Sequence, residues 1–258
     1  MSTRSERARL HLAALAGCTA LVTGCAQIPE GAGSDPSDPW ERINRHTFEF
    51  NQQMDTYVAR PVAKAYEKVV PQGVREGVTN ALGNLGEPAN VVNNALQGKG
   101  EGALVSLFRF MINSTIGLGG IFDVAGTYGN QPVRKEDFGQ TLAVWGVPSG
   151  PYLVLPFMPP STVRDATGLG VQYFMEPPTW MDETASWAIW GAYVVDLRYQ
   201  MLPATDLVKD AVDPYLMTRQ AYLATRQKAI YDGDVPFEFT KDEFEDEDEA
   251  TEEKKDVK

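Results

Sequence analysis

The chain has 258 residues, 23 Lys and Arg against 35 Asp and Glu, a net charge of −12, two Cys and two His. That length accommodates a sizeable core in one or two domains, and the acidic balance argues against nucleic acid, which needs a basic footprint to neutralise phosphates. Two cysteines without a C-x-x-C exclude a disulfide framework or a Cys-based zinc site, and His11 and His46 are too few for a His-rich one; no metal or cofactor is expected.

Residues 1–9 carry three Arg and one Glu, and Leu10 to Thr23 are mostly apolar and small. A charged n-region followed by an h-region of secretory length reads as a signal segment, too short to span a membrane as a mature helix. It ends in Leu21-Val22-Thr23-Gly24-Cys25, which resembles a bacterial lipobox, the signal in which a Cys is acylated before cleavage. Leu15-Ala16-Gly17-Cys18 is a second match, but it leaves only Leu10 to Gly17 as apolar core, interrupted by His11, so segment length favours Cys25. Residues 1–24 are read as the signal peptide, Cys25 as the lipid anchor and residues 25–37 as a flexible tether. Each buried acyl CH₂ contributes about 0.8 kcal/mol, and two or more chains anchor stably. Ala26, rather than Asp, follows Cys25, which by resemblance to enterobacterial sorting points to the outer membrane.

The body spans residues 38–235 and opens on Asp38-Pro39-Trp40-Glu41, a capping-box pattern with Asp38 as N-cap and Pro39 at N1. Trp40, Ile43, Thr47, Phe50, Met54 and Tyr57 recur every three or four residues, which predicts a helix to about Arg60, where Pro61 interrupts it. Helical patterns follow over 62–70, over 72–85 (Val74, Val78, Leu82 and Leu85 on one side), and over 88–97, closed by Gly98 at C′. Residues 102–114 are apolar on nearly every face apart from Arg109, and Asp213-Pro214 starts a last helix ending near Gly233. Strand-like alternation is scarce, so the fold class is all-α.

From Phe110 to Val195 there are ten charged residues in 86, and Phe138 to Val163 has none in 26. A span of that length suits a transmembrane helix, but Pro148, Pro151, Pro156, Pro159 and Pro160 forbid one. Irregular backbone with so little charge belongs either under helices or at membrane depth beside a cavity that satisfies its N–H and C=O groups. Trp145, Tyr152, Trp180, Trp187, Trp190 and Tyr193 have the character of interfacial anchors, and residues 184–195 are long enough to lie in one leaflet without spanning it. The five glycines between Ile116 and Gly129 lack the G-x-x-x-x-G-K of a phosphate loop, so close backbone packing or a hinge is the better reading. Residues 241–258 hold ten acidic and four basic residues; residues 236–258 are read as an acidic disordered tail.

No G-x-S-x-G occurs, and His46 is the single His outside the signal segment. Asp123, Asp137 and Asp165 are the carboxylates that would have to pair for acid–base work, and nothing in their spacing brings them together. No catalytic residue is assigned. Arg109, Arg134, Arg164 and Asp165 are rare charges in the low-charge region, read either as local ion pairs or as contacts to a lipid phosphate or glycerol.

These residues carry a family resemblance. Asp38-Pro39-Trp40-Glu41-Arg42-Ile43-Asn44-Arg45, then Asn51 and Asp55, Arg60-Pro61-Val62-Ala63-Lys64-Ala65-Tyr66, Asn84-Leu85, Glu87-Pro88 and Leu96-Gln97-Gly98 occur in order. Arg109-Phe110, Asn113 to Gly117, Asp123-Val124-Ala125, Asp137 to Leu142, Trp145-Gly146, Gly150-Pro151-Tyr152, Leu155-Pro156 and Arg164-Asp165 continue the series. Over about residues 38–232 the chain resembles the MlaA/VacJ family of bacterial outer-membrane lipoproteins. Ala81-Leu82 and Pro159 depart from the family pattern, and the acidic tail lies outside it. The resemblance implies an all-α, ring-like single domain of amphipathic helices with an irregular Gly/Pro-rich hairpin or loop. It implies embedding in the periplasmic leaflet of the outer membrane around an amphipathic channel, removal of misplaced glycerophospholipids from the outer leaflet, and transfer to a periplasmic lipid carrier beside a trimeric porin. On that basis Arg109, Arg134, Arg164 and Asp165 are channel or headgroup candidates, and Gly117, Gly119, Gly120, Trp145, Tyr152 and Pro156 are channel-wall or gate candidates. The rival expectation is an adaptor lipoprotein that only tethers partners to the outer membrane.

Overall fold

The computed structural model describes residues 28–209 and 211–236. Cys25, its rival Cys18, the signal segment and the acidic tail from residue 237 lie outside the described residues.

The first helix runs further than Pro61 suggests. Helix α1 (Glu41–Met54) passes into a π-helical turn (Asp55–Ala59) and on into α2 (Arg60–Val69), with helical backbone angles at both junctions. A proline removes one N–H and crowds the carbonyl four residues back. The wider turn directly before Pro61 absorbs both defects, so the axis continues. The same correction applies at Pro88. Residues 72–85 and 88–97 form one helix, α3 (Gln72–Leu96), with Pro88 in its interior. Gly98 closes α3 with φ +76°, as its C′ position requires. Helix α4 (Gly100–Thr115) then lies antiparallel along α3 in the most extensive packing of the molecule.

Short elements follow, and side-chain caps start several of the helices. Asp123 accepts from Gly126 N at the head of α5 (Val124–Gly129), and Asp137 accepts from Gln140 N at the head of α6 (Phe138–Val144). The Pro-rich segment is therefore not structureless. After α6 it forms an antiparallel hairpin, β1 (Tyr152–Leu153) on β2 (Ser161–Thr162), in the register Tyr152↔Thr162 and Leu153↔Ser161. Thr162 caps α7 (Val163–Met175), a 3₁₀ turn covers Pro177–Trp180, and Asp182 caps α8 (Glu183–Gln200). Helices α9 (Leu202–Lys209) and α10 (Pro214–Ile230) complete the fold, α10 starting at the cap Asp213 as expected. No helix among the described residues is long and apolar enough to cross a membrane.

The two ends of the body meet. Asp38 is not an N-cap: it is fully buried, and its carboxylate accepts from Asn44 Nδ2 at 2.8 Å and from the Tyr215 hydroxyl. Asn44 in turn holds the hairpin, donating to Tyr152 O at 3.0 Å and accepting from Val154 N at 3.0 Å. Around this point Tyr152, Val154 and Tyr215 form a small apolar core with Phe48, Leu216 and Tyr222. The segment expected as a tether joins the closure: Arg219 binds Asp35 and Ser37, and Gly33 N donates to Glu41 Oε2 at 3.1 Å. Residues 33–37 are thus fastened to α1 and α10, because their acidic and hydroxyl groups have a buried Arg to satisfy. The first and last helices meet, the closure that a ring-like all-α domain requires.

Candidate functional site: a polar interior beneath an apolar surface

Polarity is distributed the wrong way round for a protein surrounded by water. Among the described residues, twenty-one polar or charged side chains are buried against seven apolar ones. Large apolar side chains face outward instead. Helix α4 shows the pattern most plainly. Gly102, Ser106, Arg109 and Asn113, spaced by three and four, are its buried stripe, whereas Leu104 is 68% exposed and Leu107, Phe108 and Met111 are exposed beside it. Helix α3 answers with Asn84, Glu87, Asn90 and Asn94 turned inward while Val74, Val92 and Leu96 are exposed. Gly102 permits the close crossing, since a Cβ there would sit 2.0 Å from Asn94 Oδ1.

The α3–α4 interface is held by charge and amide groups. Arg109 donates from Nε to Glu87 Oε1 at 2.7 Å and from Nη1 to Gln131 O at 2.5 Å, and its Nη2 lies 3.1 Å from Asp123. Burial alone would raise the Asp123 carboxyl; the Asn113 and Gly126 hydrogen bonds and the Arg109 charge outweigh it and hold the group below the usual carboxylate range. Asn90 donates to Glu87 Oε2 and accepts from Glu136 N, and Asn93 joins Thr141 on α6 to Gln172 on α7. Polar capacity is left over: Asn84 Oδ1, Asn94 Oδ1, Gln97 Oε1, Ser106 Oγ and Gln140 Oε1 are buried without a protein partner.

A second network ties α6, α7 and α10. Arg226 reaches both Asp137, at 2.5 and 2.7 Å, and Asp165, at 2.9 Å through each of Nε and Nη2. Tyr222 donates to Asp165 Oδ2 at 2.6 Å, and Arg164 Nε donates to Asp165 Oδ1 at 2.9 Å. Desolvation opposes ionisation of both carboxylates, but the Arg hydrogen bonds and charge dominate and depress them. The backbones approach closely here, because a Cβ on Gly168 would lie 2.5 Å from Gly139 N.

The structure places the sequence candidates unevenly. Arg109 and Arg164 are interior residues whose donors are taken by Glu87, Asp123 and Asp165, and Asp165 is the anchor of the α10 network. Arg109 and Asp165 hold helices together, and Arg164 braces Asp165 within α7. Arg134 lies at the surface with Glu101, at 2.8 Å. Asp137 and Asp165 do meet, on Arg226, whereas Asp123 belongs to the α3–α4 network. Gly117 and Gly120 are close-packing positions, where a Cβ would meet Phe122 O at 2.3 Å and Asn84 Cβ at 2.5 Å; Gly119 has φ +73° and open space. Trp145 is exposed and donates to Leu96 O, and Pro156 is exposed near the hairpin tip. Tyr152, in contrast, is fully buried in the apolar core. The residues missed are Asn84, Glu87, Asn90, Asn93 and Asn94, along with Arg219 and Arg226. Their signal was a run of amides at helical spacing on one side of α3.

An open cavity of about 430 Å³ lies between the end of α7, the 3₁₀ turn and the start of α8, with Tyr173, Met181, Glu183, Trp187 and Trp190 in its walls.

Comparison with known proteins agrees with this architecture. The family model for the MlaA lipoprotein matches residues 36–229. "Intermembrane phospholipid transport system lipoprotein MlaA" of Escherichia coli (strain K12) is 40% identical over 220 residues, covering 83% of this chain and 86% of that protein. The protein of the same name from Haemophilus influenzae is 35% identical over 227 residues, covering 86% and 90%. A solved chain, from work described as "Structural basis for maintenance of bacterial outer membrane lipid asymmetry", aligns with a TM-score of 0.66 at 34% identity, over 76% of this chain and 98% of that one. The matched span takes in both buried networks and the inverted α3–α4 pair, and the chain belongs to the MlaA lipoprotein family.

Proposed function

We propose that the chain is a phospholipid-transport lipoprotein without catalytic action, anchored through Cys25 and set into the periplasmic leaflet of the outer membrane. Its task is to withdraw glycerophospholipids that have strayed into the outer leaflet and pass them to a periplasmic carrier, beside a trimeric porin, so that the two leaflets keep different lipids. The single observation that carries this reading is the inversion of polarity. An outward Leu, Phe or Val side chain is stabilised by roughly 1.5–3 kcal/mol when it leaves water; α4 presents Leu104, Leu107 and Phe108, and α8 Val194 and Leu197. Trp180 and Trp187, 73% and 72% exposed, suit the headgroup level of a bilayer. No helix among the described residues is long and apolar enough to cross a membrane, and on this reading the outward apolar faces sit within one leaflet.

The interior supplies the complementary half. A headgroup dragged through hydrocarbon is costly, so a route lined by amides and hydroxyls lowers the barrier. Unpartnered Asn84, Asn94, Gln97 and Gln140 oxygens offer acceptors along such a route. Arg134 remains a candidate for phosphate contact, as do Gly119, Trp145 and Pro156 for the wall or gate, being the candidates with open or exposed positions.

The test is purification of the full lipidated chain in mild detergent followed by mass spectrometry of bound phospholipid. Stoichiometric glycerophospholipid is expected. A folded, lipidated preparation free of phospholipid would contradict transport and favour an adaptor that only tethers partners.

A further inference from the structure

The cavity at the start of α8 has a chemistry of its own. Tyr173 and Trp190 stack with ring centroids 5.8 Å apart and planes at 23°, and Tyr193 meets Trp190 edge-on at 5.7 Å. Trp187 adds an exposed indole to the wall. Among the lining residues Glu183 carries the charge, and among the described residues no basic side chain pairs with it.

The charge around the cavity is of one sign. Residues 165–197 contain five carboxylates and no Lys, Arg or His. Two of the five face inward, Asp165 to Arg164 and Arg226, and Asp196 to Thr79 and Gln200. Glu176 and Glu183 remain without a cation, and burial pushes the Glu176 carboxyl upward despite its hydrogen bond from Gln172. The amide groups at the head of α8 are already taken, because Asp182 accepts from Thr184 N and Ala185 N. A phosphate therefore finds neither a basic side chain nor a free helix terminus here.

Aromatic faces beside an unpaired carboxylate attract an organic cation. Ring quadrupoles draw an ammonium, the more so when it is desolvated. Sodium or potassium would retain its water in so open a site.

We propose that this cavity binds an alkylammonium group, and that on the transport reading above its ligand is the amine end of a zwitterionic glycerophospholipid such as phosphatidylethanolamine. Trp187, Trp190 and Tyr173 form the cage and Glu183 supplies the counter-charge. The site thereby favours amine headgroups over glycerol ones at entry or exit. Free alkylammonium shares the chemistry and is distinguished by the test.

The experiment is calorimetric titration of the full lipidated chain, in mild detergent, with dihexanoyl phosphatidylethanolamine, dihexanoyl phosphatidylglycerol and free ethanolamine. The amine lipid is expected to bind at least fivefold more tightly than the glycerol lipid. Glu183→Gln and Trp187→Ala, both at exposed positions, should each bring that ratio to about one by weakening the amine lipid. Equal affinity for the two lipids in the unaltered chain, or a ratio that survives both substitutions, overturns the proposal. Free ethanolamine binding as tightly as the lipid overturns the lipid assignment. Phospholipid that copurifies without amine bias defeats this inference alone, whereas complete absence of phospholipid defeats the transport reading.

Discussion

The closure between α1, the hairpin and α10 is built like an ordinary soluble core, and the α3–α4 pair is built in reverse. At the closure, Tyr152, Val154 and Tyr215 are buried with Phe48, Leu216 and Tyr222 around them, and Asn44, held by Asp38, satisfies the hairpin backbone at the edge. At α3–α4, Ser106, Arg109, Asn113, Asn84, Glu87 and Asn94 are buried and Leu104, Phe108 and Met111 face out. Both regions follow one rule, that each face of a helix matches its solvent. On the proposed function the difference lies in the solvent, water at the closure and hydrocarbon outside α4.

The largest expected effect separates the two regions by what holds them. Arg109→Met strands Glu87, whose side chain is 2% exposed, and should cost about 3–5 kcal/mol in detergent, read as a lowered thermal midpoint. The double variant Arg109→Met, Glu87→Leu should recover most of that loss; no recovery would mean that the pair is not the determinant. At the closure, Tyr152→Ala should cost about 3–5 kcal/mol through a cavity, with no such rescue available.

Acid should act on the α10 network. Asp137 and Asp165 are held below their ordinary value of 3.8, so their stabilisation is whole above about that pH and is lost as pH falls through the depressed values. Midpoints measured from pH 6 downward should stay level until about pH 4 and then drop, and Arg226→Met should flatten that drop. A fall beginning near pH 6 would point to other groups.

The smallest effect is the most telling. Leu104→Ser changes an outward side chain and should alter detergent stability by no more than about 0.5 kcal/mol, while weakening retention of the unlipidated chain on vesicles. A loss of several kcal/mol would show that α4 packs against protein there.

Much of this was legible in the residues. The all-α class, the start of α10 at Asp213-Pro214 and the end of α3 at Gly98 followed from caps and breakers, because such signals are local. Pro61 and Pro88 misled for the converse reason. The widened turn at Asp55–Ala59 and the packing of α4 along α3 are tertiary facts that override a local penalty. Asp38 looked like a cap because its short-range pattern fits one, whereas its partners Tyr215 and Asn44 include a residue 177 positions away. The amide stripe of α3 was visible but carried no meaning while apolar spacing was taken to mark the buried side. For a helix in hydrocarbon, the informative stripe is the polar one.

Depth in the bilayer tests the central claim most directly. Leu104→Cys, Phe108→Cys and Met111→Cys can each carry a fluorophore, with Asp232→Cys at the end of α10 as the aqueous reference, in nanodiscs containing doxyl-labelled lipid. The three α4 probes are predicted to be strongly quenched by acyl-chain doxyl groups and shielded from iodide, with the reference probe showing the opposite. Iodide quenching of all four, with no response to the labelled lipid, would contradict an apolar surface that lives in hydrocarbon.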